Sequence, residues 1–312
     1  MERYERMPMF SKTTSEKRRA LTADATLVAV AFIWGLGIPL SADLIRAMTP
    51  IWGSAVRMGL AGMVILAIHP KKALRASRIE WKYGVMLAVL VSLIYTLMGF
   101  ALIYSTASKQ AFIIGTSVLM VPFMAWGVSR VRPHGLVFLG AAMATVGMLV
   151  MGFSPGMLFN YGDFLNILMC ILYASMVIVI EYMVKRAEPT TLVVIQLPLV
   201  GVMMAATALL FEGPIDLFSL SLKLWAEIVF LGIFNTVLCF VMQTRAQKNT
   251  SASHAAIILS LESLFGYMIS VLSGQDPFVL QGAIGGLVIF FGVLTSEMEI
   301  FLKKSTVRDE DD

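Results

Sequence analysis

About ten long apolar segments, separated by short polar connections, occupy most of this chain. They lie at about 24–43, 50–69, 83–105, 109–129, 133–153, 162–184, 190–211, 223–245, 252–273 and 278–301. An α-helix needs roughly 20 apolar residues to cross the hydrocarbon of a bilayer, whereas a barrel strand needs about 10 residues of alternating polarity. The segments have the length of helices and show no alternation. The pattern predicts an all-α integral membrane protein with ten transmembrane helices.

The composition agrees with lipid as the main solvent of the chain. Hydrophobic residues make up 58% of the sequence and charged residues 14%. Soluble domains contain about 25% charged residues, and a soluble fold of this size could not bury so much apolar surface. The net charge of +4 comes from basic residues at the ends of apolar segments, which is typical of membrane topology rather than of a phosphate-binding face. We therefore expect membrane lipid and no nucleic acid among its partners.

Basic residues alternate between the connections. If the N-terminus is cytoplasmic, the cytoplasmic side holds Lys17, Arg18, Arg19, Lys71, Lys72, Arg75, Arg78, Lys82, Arg130, Arg132, Lys185, Arg186, Arg245, Lys248, Lys303, Lys304 and Arg308. The opposite connections hold only Arg46, Lys109 and Lys223. Because cytoplasmic loops are enriched in Lys and Arg, this asymmetry predicts an even number of spans and two cytoplasmic termini.

The two halves of the chain resemble each other. A shift of 139 positions relates Asp24 to Asp163, Trp34 to Tyr173, Pro50 to Pro189 and Arg57 to Gln196. A shift of 144 relates residues 106–114 to 250–258, and Pro133 to Pro277. Apolar helices can resemble one another by composition alone, but these matches include polar residues and prolines. Two repeats of five spans must insert with opposite orientation, which is typical of secondary transporters.

Several motifs in this order resemble one transporter family. They are Trp34-Gly35, Arg57, residues 104–115, Val121-Pro122, residues 251–262 and residues 282–292. With these motifs the chain resembles the EamA-like family of the drug/metabolite transporter superfamily over roughly residues 24 to 298. The resemblance implies two inverted five-helix repeats around a central cavity. It also implies transport of metabolites, amino acids or drugs across the inner membrane, with export as the usual direction.

The sequence departs from the family pattern in the ninth span. Ser263 follows Glu262 where the family often has proline, and Gln275 follows Gly274 where it often has glutamate. The predicted organisation is a cytoplasmic tail at 1–23, a first repeat at 24–153, a second repeat at 162–301 and a cytoplasmic tail at 302–312.

Two ionisable residues lie within predicted spans. A charge near the bilayer centre is expensive, so it needs a partner, water or a ligand. Glu262, near the middle of the ninth span, either binds a proton or a cationic group or has a structural role. Arg57, in the second span, either binds an anionic group, pairs with Glu262 or extends to the interface. His254 begins the ninth span and is either a proton relay or a residue of the helix end.

Neutral polar and aromatic side chains complete the candidate substrate site. Trp34 and Tyr173 are predicted to be pseudo-symmetric cavity walls, and Tyr95 is a third aromatic candidate. Gln196 and Asn235 either bind a ligand or join helices to one another, as buried amides in membrane proteins often do.

No enzymatic, metal or cofactor motif appears in the sequence, and the lack of a Walker A pattern argues against direct use of ATP. The leading hypothesis is therefore a secondary transporter, not an enzyme, that moves a small organic metabolite with a gradient or by exchange. H+ or another ion could be coupled to transport. The alternatives are a lipid or lipid-linked carrier flippase or scramblase and, third, a non-transporting scaffold or sensor.

Overall fold

The computed structural model describes residues 14–105, 107–152 and 160–308. In this part of the chain the regular structure is entirely helical. The α-helices are α1 (Thr14–Ala47), α2 (Pro50–Ile68), α3 (Pro70–Arg75), α4 (Arg78–Tyr104), α5 (Ala107–Gly115), α6 (Ser117–Ser129), α7 (Gly135–Gly152), α8 (Tyr161–Val184), α9 (Pro189–Phe211), α10 (Leu222–Phe230), α11 (Cys239–Ala246), α12 (Ala252–Leu259), α13 (Leu261–Leu272) and α14 (Leu280–Arg308). A 3-10 turn forms at Leu217–Ser219, and a π-helical segment at Leu231–Leu238 joins α10 to α11.

The predicted all-α membrane fold is confirmed. Nine helical segments of the described chain are long and apolar enough to span a bilayer, and the shorter apolar segment Ile113–Ser129 belongs to the predicted fourth span. The first helix begins at Thr14, before the predicted apolar run, and the last continues to Arg308. Both extensions are polar, so hydropathy alone did not include them. The remaining residues of the predicted tails, 1–13 and 309–312, and the connection at 153–159 lie outside the described residues.

The fourth and ninth spans are each divided into two helices. The fourth consists of α5 and α6 with Thr116 between them, and the ninth consists of α12 and α13 with Ser260 between them. The shift of 144 that relates the repeats also relates these two breaks. The breaks are therefore a property of the repeat.

Helices of one half pack on helices of the other. The third span (α4) lies against the sixth (α8), and the equivalent eighth span (α10, the π-helical segment and α11) lies against the first. The fourth span likewise packs on the sixth, and the ninth on the first. The fifth and tenth spans, α7 and α14, form a close pair of their own. This reciprocal packing fits two inverted five-helix repeats.

The helices α2 and α9, which form the second and seventh spans, cross at small residues. A Cβ at Gly62 would lie 2.6 Å from the Cα of Pro198, and a Cβ at Gly201 would lie 2.7 Å from the Cα of Gly59. The shift of 139 exchanges Gly59 with Pro198 and Gly62 with Gly201, so the two contacts are symmetry equivalents. Glycine permits this close approach because it has no side chain to separate the backbones.

Glutamates hold the ends of this helix pair. The carboxylate of Glu212, just after α9, accepts the backbone N–H groups of Ile51 and Trp52 at 3.0 and 2.9 Å. At the other end, Glu188 accepts from Lys72 Nζ at 2.9 Å and from the backbone N–H of Thr191 at 2.6 Å. Carboxylates are favourable here because the first N–H groups of a helix lack intrahelical partners.

Burial alone would raise the pKa of Glu188, but hydrogen bonds from Lys72 and Thr191 outweigh it and lower that pKa to about 2. Glu188 is therefore ionised at neutral pH. Hydrogen bonds at both ends and close packing at the centre therefore fix α2 against α9. Arg57 lies on α2 and is positioned by this pair.

Candidate functional site

The two halves meet at Trp34 and Tyr173. One buried core cluster is built mainly from α2, α4, α8 and α9, and a second mainly from α1, α6, α7, α12 and α14. Trp34 and Tyr173 are half-buried and pack against both clusters. The predicted pair of equivalent aromatic residues therefore lies at the junction of the two cores, where side chains from both repeats come together.

Asn235 joins the first span to the eighth. Its Nδ2 donates to the backbone oxygen of Ile33 at 2.8 Å, and Trp34 Nε1 donates to the backbone oxygen of Asn235 at 2.8 Å. A Cβ at Gly37 would lie 2.1 Å from Asn235 Nδ2, so only glycine allows the amide to sit there. The side chain is buried. Of the two roles open from the sequence, these contacts correspond to joining helices rather than to facing a ligand.

Arg57 lies between the second, third and eighth spans. Its Nε donates to Thr236 Oγ1 at 2.7 Å, its Nη2 is 3.4 Å from the hydroxyl of Tyr95, and its guanidinium lies 5.9 Å from the centre of the Tyr95 ring. Both groups are neutral. No carboxylate of the described chain lies within ion-pair distance of Arg57. The guanidinium is thus oriented but its charge is not directly neutralised.

The π-helical segment places Thr236 beside Arg57. Thr236 Oγ1 donates to the backbone oxygen of Leu231, five residues earlier, at 2.8 Å and accepts from Arg57. Such π-segments occur often at functional sites because the extra residue per turn redirects side chains. The sequence analysis missed Thr236. The only available signal was its position as a polar residue in the middle of an apolar span.

Glu262 supplies the opposite charge. It lies in the first turn of α13, directly after the break at Ser260, and its side chain is half-buried. Arg57 lies near enough to Glu262 to interact with it electrostatically, and Glu262 and Tyr95 lie near enough to interact in the same way with Tyr173. Nevertheless, no guanidinium nitrogen of Arg57 lies within 4.0 Å of a carboxylate oxygen of Glu262. The two charges from opposite repeats thus interact through space.

None of the hydrogen bonds or ion pairs given for the described part of the chain joins two other predicted residues, Gln196 and His254, to this group. Gln196, the equivalent of Arg57, is buried, and its Nε2 has no hydrogen-bond partner among the described residues. His254 lies in the first turn of α12, where its backbone N–H donates to Ser251 Oγ at 3.2 Å. It is about two helical turns from Glu262 along the ninth span. The structure therefore brings together Trp34, Tyr95, Tyr173, Arg57, Glu262 and Asn235.

The sequence analysis also did not predict an ion pair between the starts of the fourth and sixth spans. Lys109 Nζ lies 2.5 Å from Asp163 Oδ2, and Ser105 Oγ donates to Asp163 Oδ1 at 2.8 Å. The backbone N–H of Asn160 donates to the same carboxylate at 2.9 Å. This network ties the start of the fourth span to the start of the sixth. The repeat marked Asp163, but nothing in the sequence paired it with Lys109.

The fold and this group of residues define a class of protein, a multi-pass helical membrane protein with opposite charges where two repeats meet. The chain belongs to the EamA-like transporter family, whose sequence profile matches residues 21–153 and 160–297. The resemblance seen in the motifs is thereby confirmed.

Similar proteins agree with this assignment. An uncharacterized transporter of Archaeoglobus fulgidus is 24% identical over 286 residues, covering 92% of this chain and 89% of that protein. The uncharacterized transporter YyaM of Bacillus subtilis is 21% identical over 298 residues, covering 91% and 96%. A crystal structure superposes with a TM-score of 0.77 at 14% identity, covering 89% of this chain and 98% of the other, and this likeness concerns the fold alone.

Proposed function

We propose that this protein is a secondary transporter that moves a small organic metabolite across the cytoplasmic membrane by alternating access. The observation that supports this most is the relationship of Arg57 to Glu262. The two charges come from opposite repeats, interact through space and make no direct ion pair within the described residues. Since an ionisable group within a membrane is expensive, a pair held apart in this way suits a ligand or ion that enters between them.

The substrate would interact with these charges and with the aromatic side chains. Arg57 is a permanent cation and suits an anionic group, while Glu262 suits a proton or a cationic group. The aromatic surfaces of Trp34, Tyr95 and Tyr173 suit the apolar part of a molecule. Amino acids, amines, nucleosides and drug-like compounds are the classes to test first. If H+ is the coupling ion, Glu262 is its binding residue.

The repeat supports alternating access as the mechanism. Two inverted halves can exchange conformations, so that a site between them opens first to one side of the membrane and then to the other. The equivalent breaks at Thr116 and Ser260 provide two positions where the fourth and ninth spans could bend. The α2–α9 pair, held at both ends and at its glycine crossing, would remain the stationary part.

We also propose an orientation of the protein in the membrane and a direction of transport. The distribution of basic residues supports cytoplasmic termini, and the usual habit of the family supports export across the inner membrane. Neither feature names a substrate.

The test first identifies a compound that binds and then asks whether a pH gradient drives its transport. A thermal-stability screen of purified protein against amino acids, amines, nucleosides and drugs identifies compounds that bind, because a ligand that binds only the folded state stabilises it. A hit is then assayed for transport in vesicles with and without an imposed pH gradient. We expect Glu262→Gln to abolish dependence on the gradient. The control is Glu181→Gln, since Glu181 pairs with Lys185 at 2.6 Å near a helix end.

The outcome separates the parts of the proposal. Proton-driven transport that persists unchanged in Glu262→Gln would remove Glu262 from coupling. A panel in which no compound shifts the unfolding temperature and none is transported would argue against the whole assignment.

A further inference from the structure

A groove of about 640 Å³ runs between the first and eighth spans, at the end of the bundle where α1 begins. Its lining residues are Arg18, Arg19, Thr22, Ala23, Thr26, Met242, Arg245, Ala246 and Asn249. On each helix these residues recur about one turn apart, so each helix contributes one continuous face. The groove is distinct from the site around Arg57, because it lies at the end of the bundle and shares none of the residues of that site.

The charge of the groove is entirely positive. Three of the described lining residues are arginines and none is acidic. Within the described chain, no carboxylate lies within 4.0 Å of Arg18, Arg19 or Arg245. Asp24 is close in sequence, but it is buried and does not line the groove. Three exposed guanidinium groups in one groove attract an anion.

Arg245 is held in place for this role. Its Nε donates to Thr190 Oγ1 at 2.9 Å, and Thr190 is fully buried. The terminal nitrogens of the guanidinium remain as paired donors, the arrangement that binds phosphate oxygens best.

Several of the last carbonyl groups of α11 have hydrogen-bond donors. The backbone oxygens of Gln243, Arg245 and Ala246 accept the N–H groups of the next turn, at 2.9, 3.3 and 2.9 Å. These bonds reduce, without removing, the partial negative charge at the end of α11, which the three arginines must outweigh.

The remaining surface of the groove suits an amphipathic ligand. The hydroxyls of Thr22 and Thr26 donate to the backbone oxygens of Arg18 and Thr22, at 2.8 and 2.7 Å, which leaves the arginines as the main donors. The apolar floor consists mainly of the half-buried Met242, because the neighbouring Ala23 and Ala246 are buried. The groove lies between the ends of two candidate membrane spans, so a phospholipid of the adjacent leaflet can place its phosphate at the arginines and an acyl chain at Met242.

We propose that this groove binds the headgroup phosphate of an anionic phospholipid, with part of an acyl chain against the apolar floor. Basic groups beside transmembrane helices are a common means of recognising anionic lipids. From Arg18 to Thr26 the groove extends about 12 Å along the helix. This is less than half of the roughly 30 Å hydrocarbon thickness, so the lipid is bound within one leaflet and is not conducted across. A bound lipid would bridge the first and eighth spans and stabilise their contact.

The experiment compares two variants that remove the same charge. The groove variant is R18Q/R19Q/R245Q, and the control is R75Q/R78Q/K82Q, which changes exposed basic residues that do not line the groove. Full-length protein in detergent is titrated with phosphatidylglycerol or phosphatidylcholine. Binding is followed by native mass spectrometry and by the unfolding temperature. Soluble glycerol phosphate and inorganic phosphate are tested as competitors.

We expect phosphatidylglycerol, and not phosphatidylcholine, to raise the unfolding temperature of the wild type and of the control. Its affinity for the groove variant should fall on the order of a hundredfold, since each basic group near the surface contributes roughly a factor of five. Equal binding to both variants would overturn the proposal. Competition by millimolar glycerol phosphate or inorganic phosphate as strong as that by lipid would also overturn it, because the ligand would then be a soluble anion. An unfolding temperature unchanged in phosphatidylcholine confirms that the groove variant is folded.

Discussion

The hydroxyls of Thr116 and Ser260 make the same hydrogen bond in opposite halves of the molecule. Thr116 Oγ1 donates to the backbone oxygen of Ile113 at 2.7 Å, and Ser260 Oγ donates to that of Ile257 at 2.5 Å. In an uninterrupted α-helix each of these oxygens would accept from the backbone N–H four residues later. The hydroxyl instead competes for that oxygen, which is a known way for Ser and Thr to disturb a helix. The same hydroxyl bond therefore accompanies both helix breaks. It is not sufficient to cause a break by itself, because Ser296 Oγ donates to the backbone oxygen of Val293 at 2.9 Å within the uninterrupted helix α14.

Replacing Ser260 with alanine should repair the break in the ninth span. Without the hydroxyl, the oxygen of Ile257 keeps only the backbone N–H of residue 260, which lies 3.2 Å away, and so becomes more accessible to the N–H of Leu261. Alanine is also the best helix former. We expect amide hydrogen exchange at Leu261 to slow by about tenfold, which corresponds to one hydrogen bond of roughly 1 kcal/mol. The control is Ser175→Ala, because Ser175 bonds the oxygen of Ile171 within the uninterrupted helix α8. Exchange at Leu261 that stays the same or becomes faster would refute the local explanation.

Neutralising Arg57 and Glu262 together should lower the free energy of unfolding by less than the sum of the two single substitutions. Either single change leaves one intramembrane charge without its opposite. In a double-mutant cycle with R57Q and E262Q, we expect a coupling of about 1–3 kcal/mol in the free energy of unfolding. Chemical denaturation in detergent measures it. A second cycle with R57Q and E181Q should show additive effects, since Glu181 pairs with Lys185. Additivity in the first cycle as well would mean that Arg57 and Glu262 do not interact.

The α2–α9 crossing distinguishes two glycines that lie one turn apart. An added methyl group at Gly62 would meet the backbone of Pro198, which cannot move without displacing α9. We expect Gly62→Ala to lower the free energy of unfolding by about 1–3 kcal/mol. Gly59→Ala is the matched control, because a Cβ there meets no atom within 4 Å. It should be neutral or stabilising by up to about 1 kcal/mol through helix propensity. Equal effects of the two substitutions would show that the helices do not cross here.

The ion pair of Lys72 with Glu188 should make stability depend on acid pH. The pKa of Glu188 is lowered from 4.5 to about 2, so its stabilising contribution is complete above about pH 4.5 and declines as the pH falls toward 2. The side chains of Lys72 and Glu188 are 35% and 42% exposed, so solvent screening limits this contribution to about 1 kcal/mol or less.

Thermal unfolding between pH 2 and pH 7 measures this effect. The difference between wild type and Glu188→Gln should be constant above about pH 5 and shrink at lower pH. Lys72→Met should resemble Glu188→Gln, whereas Lys71→Met at the neighbouring exposed position should resemble the wild type. A difference that grows on acidification would contradict the lowered pKa.

The sequence analysis named residues that the fold brings together, but it did not describe their contacts. Trp34 and Tyr173 were identified as an equivalent pair from the repeat, and the structure places both at the junction of the two cores. Asn235 was named with two open roles, and its contacts with Ile33 and Trp34 required the fold. Thr236 was missed because its significance depends on a π-helical segment that hydropathy does not report. His254 lies at a helix end, one of the two roles considered for it.

The sequence by itself determined the number and kind of spans, the two repeats and the family. These properties depend on the length of apolar segments and on similarity at a constant shift, both of which are read along one dimension. Only the tertiary structure decided that Arg57 donates to Thr236, that Trp34 donates to Asn235, and that Arg57 and Glu262 lie near one another without forming an ion pair. Those relationships join residues from different helices and opposite halves. They depend on how the helices rotate and cross, which in a membrane is set by close packing at residues such as Gly62 and not by hydropathy.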